Sequence, residues 1–266
     1  MEKTIGFIGA GNMATAIIKG LIAQKGCADF IKAFDVSPER LSAMQALGVS
    51  VCDSGEAVVS QSDIIVLAVK PQNYSEVLQG VRGAVSEQKT FVSIAAGISI
   101  AFVQNALGCS CPVMRVMPNT PLLLKKGATA LCPSDNMSAE DRQLIADMFA
   151  GSGACEFFTE DHMNEIIAVN GSSPAYIYLF AKAMADYAQA QGIDYDKAMN
   201  LICATLEGSA AMLRESGDSA DTLIDKVSSK GGTTIAALER LRAHGFCEAI
   251  QDAMDACTKR AEELGQ

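Results

Sequence analysis

The sequence predicts an α/β fold in which a doubly wound parallel sheet over residues 1–158 is followed by an all-helical domain over residues 159–266. Three observations carry this. Short apolar runs of strand type recur through the first part, and one of them, Asp63-Ile64-Ile65-Val66-Leu67-Ala68-Val69, is apolar on both faces, as a buried parallel strand must be. The first run is followed at once by Gly9-Ala10-Gly11-Asn12-Met13-Ala14, which has the form G-x-G-x-x-G/A. Beyond Glu160 strand signals vanish, and apolar residues return at helical spacing instead.

Thr4–Ile8 is the first strand. Gly9 permits the tight turn after it, Gly11 lets a pyrophosphate approach the backbone, and the small Ala14 allows close helix–strand packing. Ala14, Ile17, Ile18, Leu21 and Ile22 then supply the helix that the motif requires. With a strand before and a helix after, the motif marks a Rossmann-type dinucleotide site rather than an ordinary glycine-rich turn. The second strand, Phe30–Phe34, ends at Asp35. An acid there suits the ribose 2′-hydroxyl of NAD, whereas Ser37 and Arg40 suit the 2′-phosphate of NADP. Both readings stand.

A helix over Leu41–Leu47 and a strand over Val49–Cys52 lead to the buried strand at 63–69, which Lys70-Pro71-Gln72 closes. That carboxyl edge is where open α/β sheets bind ligands, so Lys70 faces either a cofactor or solvent. Strands follow at Thr90–Ile94, Val113–Val116 and Ala128–Cys132, with a helix over Ile100–Leu107 between the first two. In Met117-Pro118-Asn119-Thr120-Pro121 two prolines bracket a polar pair, which makes a rigid loop able to orient a nicotinamide or simply to turn the chain. Ala139–Phe149 is a helix, and Ala154–Phe158 the last strand.

In the helical part, Tyr176, Leu179, Phe180, Ala183, Met184, Tyr187 and Ala188 fill every place of one amphipathic stripe, while Ile177, Tyr178 and Ala181 make another face apolar too. Asp196–Glu215 reads similarly. Two such helices exceed what a small core can hide, so this domain is expected to dimerise. Shorter helices near Asp221–Val227, at Thr234–Ala243 and at Phe246–Leu264 complete it. Between the first two of these lies Ser228-Ser229-Lys230-Gly231-Gly232-Thr233, a hydroxyl-rich loop running into a helix start. It either grips a small anion with free N–H groups and hydroxyls, or is a plain turn with Thr233 capping the helix.

With 31 Asp and Glu against 21 Lys and Arg, and no basic cluster, nucleic acid is not an expected partner. No apolar run reaches the length of a membrane span, and Met1 leads into a strand rather than a leader, so a cytoplasmic protein is expected. The nine cysteines, odd in number and without C-x-x-C spacing, read as free thiols of a reducing compartment and not as a metal site. His162 and His244, the two histidines, stand in no motif and read as structural. Neither G-x-S-x-G, HExxH nor a P-loop occurs. An oxidoreductase without a histidine acid fits an imine substrate, which can arrive already protonated.

Five segments now stand in order along nearly the whole chain: Phe7 to Ala14; Ala68-Val69-Lys70-Pro71-Gln72; Arg115 to Pro121; Gly171-Ser172-Ser173-Pro174-Ala175-Tyr176; and Gly231-Gly232-Thr233-Thr234. Together they resemble the pyrroline-5-carboxylate reductases, which make proline from 1-pyrroline-5-carboxylate. The resemblance implies NADPH as cofactor, with NADH possible, no metal, and an active site formed where subunits meet. It also implies dimers that assemble further, often into decamers. Carried over by position, Gly9, Gly11, Asn12, Met13 and Ala14 surround the pyrophosphate, Ser37 and Arg40 the adenosine end, and Val69, Lys70, Pro71 and Asn119 the rest of the dinucleotide. The substrate loop falls on Ser229 to Thr234, with Gly231 among its substrate-binding residues: Ser229, Gly232 and Thr233 hold the carboxylate, and Thr234 hydrogen-bonds the ring nitrogen as proton donor or relay. Lys230 stands where many members have proline, and Ser173 where many have glycine.

Two rivals remain at this stage. A 3-hydroxyacid dehydrogenase also joins a Rossmann domain to helices, but that class carries a lysine at the start of the corresponding helix, and here none occurs before Lys182. A non-catalytic dinucleotide sensor would have no need of the loop before Thr234.

Overall fold

In the computed structural model, residues Lys3–Gly265 are described. Strands β1 (Ile5–Ile8), β2 (Ile31–Phe34), β3 (Ser50–Val51), β4 (Ile64–Leu67), β5 (Thr90–Ser93), β6 (Val113–Met117), β7 (Gly127–Pro133) and β8 (Gly153–Phe157) form one sheet. Their order is β3-β2-β1-β4-β5-β6-β7-β8, so the winding direction reverses between β1 and β4. All pairs from β3 through β6 are parallel, whereas β6 pairs antiparallel with β7. The expected all-parallel sheet thus carries a reversed edge, β7 and β8 being parallel to each other. The reason lies in the connection from Met117 to Gly127, which holds only a short 3-10 turn at Thr120–Leu124. A parallel crossover needs about a dozen residues or more, usually as a helix.

Helices α1 (Asn12–Lys25), α2 (Pro38–Ala46), α3 (Gly55–Ser60), α4 (Tyr74–Val81), α5 (Ile100–Leu107), α6 (Ala139–Ala150) and α7 (Met163–Ile166) accompany the sheet. Successive residues of the buried strands face opposite cores. Phe7, Ile64 and Val66 pack on one side with Ile17, Ile18 and Phe149, and Ile8, Ile65 and Leu67 on the other with Val58, Leu78 and Phe91. Buried Tyr74 spends its hydroxyl on the Leu67 carbonyl at 2.7 Å, which fixes α4 to the end of β4. The short helices α3 and α4 escape the sequence reading, and β3 is half the length expected of Val49–Cys52.

The rest of the chain is helical: α8 (Ser173–Ala190), α9 (Tyr195–Glu215), α10 (Ala220–Lys226), α11 (Thr233–Ala243) and α12 (Phe246–Leu264). A π-helical turn, Ile167–Gly171, precedes α8. The chain divides into two compact units, one running up to Ser172 and resuming at Asp255, the other Ser173–Met254. Within the second unit α8 and α9 pack through Ala181, Ala185 and Ile202. That core is small, and Leu179, Tyr187 and Leu201 are each 69% exposed. No helix among the described residues is long and apolar enough to cross a membrane.

Candidate active site

The glycine loop is built for close approach. Gly9 has φ +98°, and a Cβ there would lie 2.7 Å from the Ala68 carbonyl oxygen, so only glycine brings the β1 exit this close to the β4 exit. Gly11 caps α1 without any side-chain hydrogen bond. The first N–H groups of α1 therefore lack a side-chain cap, and a helix start of this kind favours an anion. Ala14 is buried under the loop, Met13 packs partly against the core, and Asn12 is exposed at the first turn. Thr15, which sequence reasoning passed over, donates to the Gly11 carbonyl at 2.9 Å and steadies the turn.

Asp35 does not face outward. Its Oδ2 accepts the N–H of Ala10 at 2.7 Å and Nη1 of Arg40 at 3.3 Å, while Oδ1 accepts the N–H of Ser37 at 2.9 Å. Burial opposes its charge, but the two backbone donors and the Arg40 guanidinium outweigh burial and hold the carboxyl below its ordinary range. The acid that reads as a ribose ligand is thus committed to the protein's own loop. Arg40, with 57% of its side chain exposed, and the N-cap residue Ser37 remain at the surface. Beside them lies a cavity of about 570 Å³ lined by Gly11, Asn12, Thr15, Asp35, Ser37 and Arg40, among others.

After β4, Val69 packs against the core, Lys70 is exposed, and Pro71 starts a 3-10 turn. Farther along the same edge, Asn119 is only 8% exposed. Its Oδ1 accepts the N–H of Ala128 at 2.9 Å and its Nδ2 donates to the Asn170 carbonyl at 3.1 Å. Asn170 answers with Nδ2, which donates to the carbonyls of Met117 at 2.9 Å and Ala128 at 3.0 Å. The side chain of Asn119 therefore positions the β6 exit rather than projecting from it. Asn170 Oδ1 is buried without a partner. Beneath this knot the buried Arg115 donates to Glu160 at 3.0 Å and to Asn164 at 2.6 Å. Burial, and then the Glu160 charge, push the Cys132 thiol up to about 12, so it stays protonated.

In the second unit, the loop between α10 and α11 closes through Ser228 Oγ, which donates to the Ile224 carbonyl at 2.7 Å, and the Gly232 N–H, which donates to the Ser229 carbonyl at 2.9 Å. Gly231 has φ +73°. The capping alternative for Thr233 is corrected here: the N-cap is Gly232, in extended geometry and with no side-chain hydrogen bond. The Gly-Gly turn puts Thr233 and Thr234 inside the first helical turn, where a hydroxyl no longer occupies the cap position. The start of α11 is thus uncapped, with Ser229 and Thr233 exposed and Thr234 half-buried beside it. All nine cysteines are free, and among the described residues no cluster of metal-binding side chains exists.

Residues 160–264 match the family model of pyrroline-5-carboxylate reductase dimerisation, and residues 4–97 that of coenzyme F420-dependent NADP oxidoreductases. The pyrroline-5-carboxylate reductase of Escherichia coli K12 is 37% identical over 268 residues, covering 100% of both chains. The chain belongs to the pyrroline-5-carboxylate reductase family. Among solved structures, a Plasmodium falciparum pyrroline carboxylate reductase with NADP bound superposes with a TM-score of 0.91 at 28% identity, over 100% of this chain and 99% of that one. The Streptococcus pyogenes 1-pyrroline-5-carboxylate reductase gives 0.90 at 32% identity over 98% of each. Membership in the reductase family accounts for the exposed apolar faces of α8 and α9, since its helical part is a self-association module. Asn170, missed in the sequence, had no signal beyond its place before Gly171, because a polar residue inside an apolar run has no periodicity of its own.

Proposed function

We propose that this chain reduces 1-pyrroline-5-carboxylate to L-proline with NADPH, the last step of proline formation. The uncapped, hydroxyl-fringed start of α11 carries this reading, because a carboxylate is the ligand that such a helix start favours. Residues 1–158 form the dinucleotide-binding domain, and residues 159–266 supply the substrate loop and the surface through which copies pair.

The glycine cradle, the open start of α1 and the neighbouring cavity suit a dinucleotide. Gly9, Gly11, Asn12, Met13 and Ala14 surround the pyrophosphate: the Gly9 N–H is spent on the Phe34 carbonyl at 2.8 Å, so Gly9 shapes the turn, and the uncapped N–H groups at the start of α1 do the binding. Ser37 and Arg40 take the 2′-phosphate; Asp35, already committed to Ala10, Ser37 and Arg40, supports NADPH over NADH, which is still accepted. Val69, Lys70 and Pro71 line the remainder, and Asn119 acts there through the loop it fixes. Bound NADPH supplies the hydride. Ser229, Gly231, Gly232 and Thr233 hold the substrate carboxylate, and the Thr234 hydroxyl hydrogen-bonds the ring nitrogen and keeps its proton in place. No strong base is required, since alignment of two bound reactants can lower a barrier by about 7–11 kcal/mol.

Two copies pair through the apolar faces of the helical unit, and the pairs assemble further into a decamer, which sedimentation of the purified protein tests. The nine free thiols support a reducing, cytoplasmic location. The deciding assay follows nicotinamide absorbance with 1-pyrroline-5-carboxylate and NADPH or NADH in parallel. Oxidation that is faster with NADPH supports the reading; none with either coenzyme, in protein that binds NADPH, refutes the substrate.

A further inference from the structure

We propose that the last turn of α12 is a positioning element for the nicotinamide end of the coenzyme site, an inference that rests on the dinucleotide reading above. After β5 the chain runs through Ile94-Ala95-Ala96-Gly97 along the carboxyl edge of the sheet, between the exits of β4 and β6. The cavity beside Ser37 and Arg40 lies at the β2 exit, on the far side of β1. A dinucleotide whose adenosine end occupies that cavity and whose pyrophosphate crosses the glycine loop delivers its other end to the β4–β6 side. There Ala95 and Ala96 offer only methyl groups, and no polar side chain of this segment can hold the loop in place.

The loop is tied to β4 where it starts, by the Ile94 N–H on the Leu67 carbonyl, and Ala95 and Ile98 are buried in the core; Gly97 between them is held by the last turn of α12. Gly97 has φ +81°, and a Cβ there would lie 2.3 Å from the Ala261 carbonyl oxygen and 3.2 Å from Leu264 Cβ. Seen from the helix, a Cβ on Gly265 would lie 2.2 Å from the Gly97 carbonyl oxygen. Two glycines thus let backbone press on backbone, with Ala261 itself buried. Such a contact contains no side chain whose rotamer could absorb a displacement, so the loop goes where the helix end goes.

Two variants test this: a chain ended after Ala261, which removes Leu264 and Gly265, and the full-length Gly265→Ala, whose added methyl meets the Gly97 carbonyl. For each, NADPH binding is read from the fluorescence of the reduced ring, 2′,5′-ADP binding reports the adenosine end alone, and the thermal midpoint reports the fold. The expected result is a rise of about tenfold in the NADPH dissociation constant with 2′,5′-ADP affinity within about twofold of the parent. The kcat falls while KM for 1-pyrroline-5-carboxylate changes little. NADPH binding and turnover equal to the parent in both variants overturn the proposal, and so does parallel loss of both ligands, the mark of a generally weakened unit. A parent chain that binds neither ligand sinks the dinucleotide reading and this proposal with it.

Discussion

The backbone N–H of Ala10 donates to Asp35 Oδ2 at 2.7 Å, tying the glycine loop after β1 to the exit of β2. The same carboxylate takes Arg40, so one buried acid shapes the glycine loop and aims the cation beside it.

Arg40→Ala should therefore lower kcat/KM for NADPH by about 10- to 100-fold, the worth of a charged hydrogen bond of roughly 1.5–3 kcal/mol, with NADH changed by less than about threefold. Steady-state rates with both coenzymes check this. An equal loss with the two would take Arg40 out of phosphate recognition.

Asp35 also sets a pH dependence. Its folded pKa is lowered from 3.8, so its contribution to stability is complete above about pH 5 and is lost as the pH falls through the depressed folded value. Denaturant midpoints measured from pH 2 to 6 should fall less steeply in Asp35→Asn than in the parent. Superimposable profiles would show that the tether carries no net linkage.

How far this arrangement is legible beforehand depends on the residue. The strands at β1 and β4 follow from apolar runs, and the cradle from Gly9 and Gly11, because sterics at those positions admit little else. Asp35 is different: a carboxylate at a strand end can face a ligand or fold back on the neighbouring turn, and the letter is the same in both cases. Thr233 fails as a cap for a similar reason, since two adjacent glycines leave the register of the turn open by one residue. The reversed β7 is foreshadowed by the shortness of the Met117–Gly127 connection and not by hydropathy, which is blind to strand direction.

Thr234→Ala should reduce kcat/KM for 1-pyrroline-5-carboxylate by about 5- to 150-fold, as expected for one hydrogen bond of about 1–3 kcal/mol to a charged or buried group. NADPH affinity, measured by fluorescence titration, should stay within about twofold, and Thr234→Ser should recover most of the rate. Parent-like kinetics in the alanine variant would remove Thr234 from the mechanism.

Asn119→Ala should cost about 2–4 kcal/mol of stability, because it leaves the Ala128 N–H and the Asn170 carbonyl without their partners. Urea unfolding measures that. If the main effect were instead on NADPH affinity in a chain of unchanged stability, the Asn119 amide would be a ligand group and not an internal brace.

The contact of Gly97 with Ala261 and Gly265 also orders events during synthesis. Residues Ser173–Met254 leave the ribosome as one uninterrupted stretch, but the sheet-bearing unit needs residues from Asp255 onward. Domains made of continuous chain can fold as they emerge, at about 5–20 residues per second. Here the segment up to Ser172 completes its unit only after residues from Asp255 onward have been made, and until then Gly97 lacks the backbone it packs against.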